Sequence, residues 1–164
     1  MTIIVKNKDT LIYDGFSFKC CIGKNGFSKN KIEGDKKTPK GTFYLGNIFY
    51  RQDRKLKPFS KLKSLKIKKN MGWCNDTNSK KNYNKLINTN SKLKYEKLFR
   101  KDYKYDYLIP IKYNWFNRKI GNGSAIFLHL TKNYKPTAGC IGLLEKDFLI
   151  LMKLIDKNTK IKIL

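Results

Sequence analysis

The chain has 164 residues, 40% of them hydrophobic, and carries 37 Lys and Arg against 12 Asp and Glu, a formal net charge of +25. That length suits one domain, which at this size buries roughly 70% of its unfolded surface without staples. No apolar run nears the ~20 residues of a membrane span, and Met1 to Lys6 lacks the long apolar core of a signal peptide. Taken alone, the charge suggests a polyanionic partner. However, only Arg51, Arg54, Arg100 and Arg118 supply the guanidinium that readers of nucleic acid draw on, so no nucleic acid is expected. The lysines are scattered, apart from a dense patch over Lys61 to Lys69. Lys, Asn, Ile, Tyr and Phe are residues of AT-rich codons, so codon bias accounts for much of the charge.

In chain order, Ile3 to Lys6, Leu11 to Tyr13 and Phe16 to Ile22 are β-prone, and Asp14-Gly15 is a hairpin turn signal. Gly23 to Lys40 reads as a loop, and Gly41 to Tyr50 as a return to strand. Residues 51 to 92 form a long polar connection, with Trp73 arguing that part of it packs. Tyr105 to Tyr113 and Ser124 to Leu130 are two more strands; the second is apolar on both faces and so is expected to be central. Glu145 to Asp156 has Phe148, Leu149, Met152 and Ile155 at helical spacing, with Glu145 and Asp147 in its first turn. Thr159 to Leu164 closes the chain as a strand. The sum is a mainly β chain with one main helix, expected to form a single domain over 1–164.

The four cysteines, Cys20, Cys21, Cys74 and Cys140, show no CxxC spacing, and the single His is too few for a Cys/His zinc site. Cys20 and Cys21 are adjacent, an awkward geometry for a mutual disulfide. Free thiols are therefore expected. His129 ends a buried strand, and Cys140 follows after a loop that Pro136 stiffens and Gly139 lets approach closely. If the two meet, an imidazole can lower a thiol's pKa and supply the thiolate. On spacing alone the bland reading is stronger: a core His on an apolar strand, and a Cys acting as a small hydrophobe.

The segment Ser124-Ala125-Ile126-Phe127-Leu128-His129, continued by Pro136-Thr137-Ala138-Gly139-Cys140-Ile141, resembles the active-site signature of the L,D-transpeptidase catalytic domain, the YkuD-like family. Thr38-Pro39-Lys40-Gly41 is similar to that family's turn leading into a strand. Trp73-Cys74-Asn75-Asp76, Tyr83-Asn84 and Tyr113-Asn114 look like features of a less studied bacterial branch. Two positions depart from the pattern: Ala138 stands where the family commonly has His, and Gly142 where it commonly has Arg or Asn.

The resemblance implies a β-sandwich with an open cleft, and transpeptidation of peptidoglycan stem peptides without metal or cofactor. It implies Cys140 as nucleophile, His129 as proton acceptor and donor, and backbone N–H groups at Gly139 and Cys140 as the oxyanion hole. Trp73, Asp76, Tyr83, Asn84 and Thr137 are candidates to bind substrate. For Trp73 a core role is the commoner one, for Cys74 a packed thiol, and for Thr38 to Gly41 a structural turn. The resemblance also implies acylation by carbapenem β-lactams. With no side chain at Gly142 to meet the drug's carboxylate, acylation should be slow, and Gly142→Arg should speed it if the site has room.

Water in place of an acceptor amine would make the enzyme a wall carboxypeptidase or endopeptidase with the same residues. A basic polyanion-binding module with a vestigial Cys140 is the reading from another class. The family points to the cell envelope or periplasm, whereas the missing signal segment leaves the cytoplasm open.

Overall fold

The structure is a computed structural model describing residues 1–164. Its strands are β1 (Thr2–Val5), β2 (Thr10–Tyr13), β3 (Phe16–Cys21), β4 (Phe27–Ser28), β5 (Thr38–Pro39), β6 (Gly41–Tyr44), β7 (Ile48–Tyr50) and β8 (Ser64–Lys66). They continue with β9 (Met71–Cys74), β10 (Leu86–Asn88), β11 (Tyr95–Lys97), β12 (Tyr107–Pro110), β13 (Phe127–Leu130) and β14 (Ile141–Leu143). Helix α1 (Glu145–Leu154) and strand β15 (Lys160–Ile163) complete the chain. Ten strands form one sheet in the order β6-β15-β1-β2-β3-β14-β13-β12-β7-β8; β10-β9-β11 form a second sheet, and β4 pairs with β5.

The β2–β3 hairpin follows from its turn: Asp14 and Gly15 both take positive φ, 48° and 78°, as a two-residue turn with this twist requires. The large sheet curls, because strands far apart in its order turn the same face inward. Ile3 and Val5 of β1, Ile161 and Ile163 of β15, Leu128 and Leu130 of β13, and Tyr107 and Ile109 of β12 share one core of 25 buried residues. Helix α1 fills that core with Phe148, Leu151 and Met152, each worth about 1.5–3 kcal/mol when removed from water. No side chain caps its N-terminus, but Glu145 and Asp147 set negative charge there and Lys153 sets positive charge at its end.

Residues on the other face of β7, β12 and β13 (Phe49, Leu108 and Phe127) pack against Trp73 of β9 and Leu98, which follows β11. The result is a second, smaller core with nine buried residues, one of them Cys140. The polar connection expected over 51 to 92 is thus largely structured. It contributes β8, β9 and β10, whose short length and Lys- and Asn-rich flanks hide the strand pattern. The strand expected from Gly41 to Tyr50 is two strands, broken at 45–47 where the chain passes from one end of the large sheet towards the other. Strand β13 is central as expected, between β12 and β14, and all four of its residues are buried.

Candidate active site around Cys140 and His129

Strand pairing brings the two residues together. β13 and β14 run parallel, with Leu128 opposite Ile141 and His129 opposite Gly142. Continuing that register backwards sets Cys140 level with Phe127. Side chains alternate along a strand, so His129 shares Phe127's face, diagonally adjacent to Cys140. Both line one cavity of about 600 Å³, as do Thr137 and Ala138. The loop from 131 to 140 is tied down at its end: Thr137 Oγ1 donates to the Cys140 carbonyl at 2.6 Å, and the buried Thr38 hydroxyl donates to the Gly139 carbonyl at 2.8 Å. The Thr38-Pro39-Lys40-Gly41 turn therefore acts on the loop that carries the thiol.

His129 Nδ1 lies 2.9 Å from the Leu130 carbonyl oxygen. A carbonyl only accepts, so Nδ1 carries the proton and Nε2 keeps its lone pair as the basic nitrogen. The ring is buried, 6% exposed, and meets the edge of Tyr105 at 5.5 Å between centroids. Burial, above all, pulls its pKa down to about 4, and the Leu130 carbonyl only partly opposes this.

The thiol departs from expectation in two ways. Its hydrogen bonds go to the backbone, donating to the Ala125 carbonyl at 3.2 Å and accepting from the Phe127 N–H at 3.3 Å, and none joins it to His129. Burial, helped by the Glu96 charge, pushes its pKa up to about 12, against the Phe127 N–H and the Lys31 charge. A lowered thiol pKa was expected; the site is too dry for that. Burial thus disfavours both the thiolate and the imidazolium. The resting pair is therefore neutral thiol and neutral imidazole.

The Gly139 N–H donates to Thr137 Oγ1 at 3.0 Å, so it is engaged and not a free oxyanion donor. The Cys140 N–H, in contrast, has no protein acceptor. Gly142 has no room for a side chain: a Cβ there would lie 2.7 Å from Cys21 Sγ and 3.2 Å from Thr131 Cβ. Gly142→Arg would therefore disrupt packing instead of restoring a carboxylate contact.

Among the other candidates only Thr137 lines this cavity. Trp73 and Asn84 are buried in a chain of hydrogen bonds behind it. Asn84 Oδ1 accepts from Trp73 Nε1 at 2.9 Å and from the Ala125 N–H at 3.1 Å, and its Nδ2 donates to the Tyr113 and Asn114 carbonyls. Asn84 thereby holds Ala125 in a left-handed conformation (φ 52°) that presents its carbonyl to the thiol. Asp76 accepts from the Asn78 and Lys94 N–H groups and closes a turn. Tyr83 is fully buried and donates to Glu33. Cys74 is a fully buried free thiol.

Asn84→Ala leaves a buried indole N–H, a backbone N–H and two carbonyls without their partner. It should lower stability to urea unfolding by about 2–3 kcal/mol. His129 gives stability a pH signature. Its folded pKa is near 4 and its unfolded value near 6.5, so below pH 6.5 the unfolded chain binds a proton that the folded chain refuses. Its contribution is complete above 6.5 and lost as pH falls towards 4, a loss of about 3 kcal/mol. Urea unfolding at both ends of that window should show His129→Gln losing less stability than the parent.

The cavity also gathers residues that the sequence did not single out: Lys31, Glu33, Glu96, Arg100 and Tyr105. Tyr105 donates to Glu96, whose carboxyl burial pushes above its ordinary value although Tyr105 and Arg100 draw it down. Their spacing carries no motif, and only the fold unites them: Lys31 and Glu33 come from the segment between β4 and β5, Glu96 from β11, and Arg100 and Tyr105 from the segment leading to β12.

The family model of the L,D-transpeptidase catalytic domain (YkuD) matches residues 1–163. No curated protein matches the chain. Among solved structures the chain is similar to the helical cell shape determining protein Pgp2 from Campylobacter jejuni, at 18% identity and a TM-score of 0.49. That match covers 99% of this chain and 46% of the other, so this chain spans less than half of that protein's length.

Proposed function

The chain belongs to the L,D-transpeptidase catalytic domain family, and from that premise we propose that it is a cysteine acyltransferase acting on peptidoglycan stem peptides at the cell wall, folded as one catalytic domain. The observation that carries the reading is the cavity lined by both Cys140 and a His129 whose Nδ1 is pinned, which leaves Nε2 as the free base.

Because the resting pair is neutral, the proton leaves the thiol as the thiol attacks. A substrate carbonyl enters beside Cys140 and displaces the weak thiol contact to Ala125. Nε2 takes the proton while the C–S bond forms. The Cys140 N–H is the backbone donor for the developing oxyanion. The imidazolium then protonates the leaving amine of the terminal D-amino acid, the C–N bond breaks, and a thioester remains. The amine of a second stem peptide attacks the thioester, restoring the thiol and forming a crosslink. Thr137 and Thr38 act by fixing the Gly139–Cys140 backbone.

Water attacking the same thioester would trim the peptide, which is the carboxypeptidase reading. Incubation with purified tetrapeptide and mass spectrometry of the products separates the two. A crosslinked dimer supports transpeptidation, trimmed tripeptide alone supports hydrolysis, and unchanged tetrapeptide contradicts both. No helix is long and apolar enough to cross a membrane.

A further inference from the structure

We propose that Lys31 forms an anion seat in the cavity, binding a carboxylate of the molecule that reacts at Cys140. Lysine is seldom buried, yet the Lys31 side chain is only 4% exposed and lines the cavity with Cys140. The fold makes space for it at two glycines. A Cβ at Gly123 would lie 2.8 Å from Lys31 Cε, and one at Gly139, the residue before the thiol, would lie 3.6 Å from its Nζ. Both glycines have positive φ, 98° and 137°. The stem is thus threaded past Gly123 to deliver the ammonium beside Gly139.

Asp35 holds the ammonium at 2.5 Å and is itself fixed by the Ile32 and Lys37 N–H groups at 2.9 Å each. Burial pushes the Asp35 carboxyl up, but Lys31 and these N–H groups outweigh it and leave it below its ordinary range. An ammonium has three donors, and Asp35 takes the only one with a protein acceptor. The two carboxylates of the cavity are otherwise occupied, Glu33 accepting from the Tyr83 and Ser124 hydroxyls and Glu96 from Tyr105. A carboxylate entering the cavity would find two N–H donors in a poorly solvated setting, where a charged hydrogen bond is strong. On the acyl-transfer reading, on which only the natural ligand's identity rests, that carboxylate belongs to the stem peptide. Lys31 then supplies beside Gly139 the cation that the crowded Gly142 does not.

The test uses two alkylating agents that differ in charge, iodoacetate and iodoacetamide. With either, the Cys140 thiolate displaces iodide. Rates at Cys140 are read by peptide mapping at mildly alkaline pH, and the quantity compared is the iodoacetate-to-iodoacetamide ratio. A general change in thiol exposure or pKa moves both rates together and leaves the ratio alone. The ratio should exceed that of free glutathione by about tenfold and fall towards the glutathione value in Lys31→Met. It should survive in Lys31→Arg, and rise in Asp35→Asn, where the competing carboxylate is gone. Lys66→Met, which removes a charge outside the cavity, should leave it unchanged. An equal fall in Lys31→Met and Lys66→Met would reduce the effect to overall charge and overturn the proposal. Should Lys31→Met fail to fold, a parent ratio no higher than glutathione's, or no rise in Asp35→Asn, overturns it equally. Since no turnover is needed, the seat can fail while acyl transfer stands, and the converse. A Cys140 that neither reagent reaches contradicts both.

Discussion

Cys140→Ala is expected to abolish acyl transfer, a loss of about 10⁴-fold or more, with the fold preserved. A methyl group cannot form a thioester, and no other thiol lines the cavity, since Cys20, Cys21 and Cys74 lie elsewhere in the fold. Cys140 is buried, 7% exposed, and its sulfur contacts are two weak backbone hydrogen bonds. Truncation therefore costs about 1 kcal/mol of stability. Product formation and urea unfolding measured on one preparation check both halves. Full activity in a folded variant would show that Cys140 is not the nucleophile.

The second large effect belongs to His129. His129→Gln should lower the rate by about 10²–10⁴-fold, the usual contribution of a positioned general base. The pH profile distinguishes loss of a base from loss of shape. Burial holds the imidazole pKa near 4, so it is neutral and competent throughout the range above that value. The parent rate should fall as pH drops through about 4, well below the ordinary imidazole range, and the residual rate of the Gln variant should lack that step. A parent whose acid limb lies near 6.5 would mean that substrate binding hydrates the ring, or that another group is the base. Repeating the profile with substrate saturating decides between these, because hydration would move the limb only in the complex.

The sequence made the frame of this site readable at particular points. Alternation and the Asp14-Gly15 turn marked the first hairpin, and the unbroken apolar run ending at His129 marked a central strand. The helix showed in the spacing of Phe148 and Met152. The Gly139-Cys140 pair after a stiffened loop marked the candidate nucleophile, but only in combination with the family resemblance. What stayed hidden depends on long-range pairing. Strands β9 to β11 are three or four residues each, within a segment whose lysines and asparagines look like loop. Trp73, Tyr83 and Asn84 suggested a surface for substrate, whereas the fold uses Trp73 and Asn84 to brace Ala125 behind the thiol and joins Tyr83 to Glu33 and the Gly123 N–H. Gly142 looked like a missing contact, and its neighbours Cys21 and Thr131 show a filled position. Lys31 could not be told from the chain's other lysines until Gly123 and Gly139 were seen to make way for it. The sign of the Cys140 pKa shift also needed the structure, because burial outweighs every nearby charge.

On the proposed mechanism Cys140 carries the acyl group. Intact-protein mass spectrometry after incubation with a carbapenem β-lactam tests it most directly, since the strained amide presents the thiol with the same kind of carbonyl as the stem peptide and ring opening disfavours reversal. One drug-mass adduct is expected on the parent, mapped to Cys140, and none on Cys140→Ala. A drug-mass adduct that persists in Cys140→Ala would place the reaction on another residue and rule out Cys140 as the nucleophile.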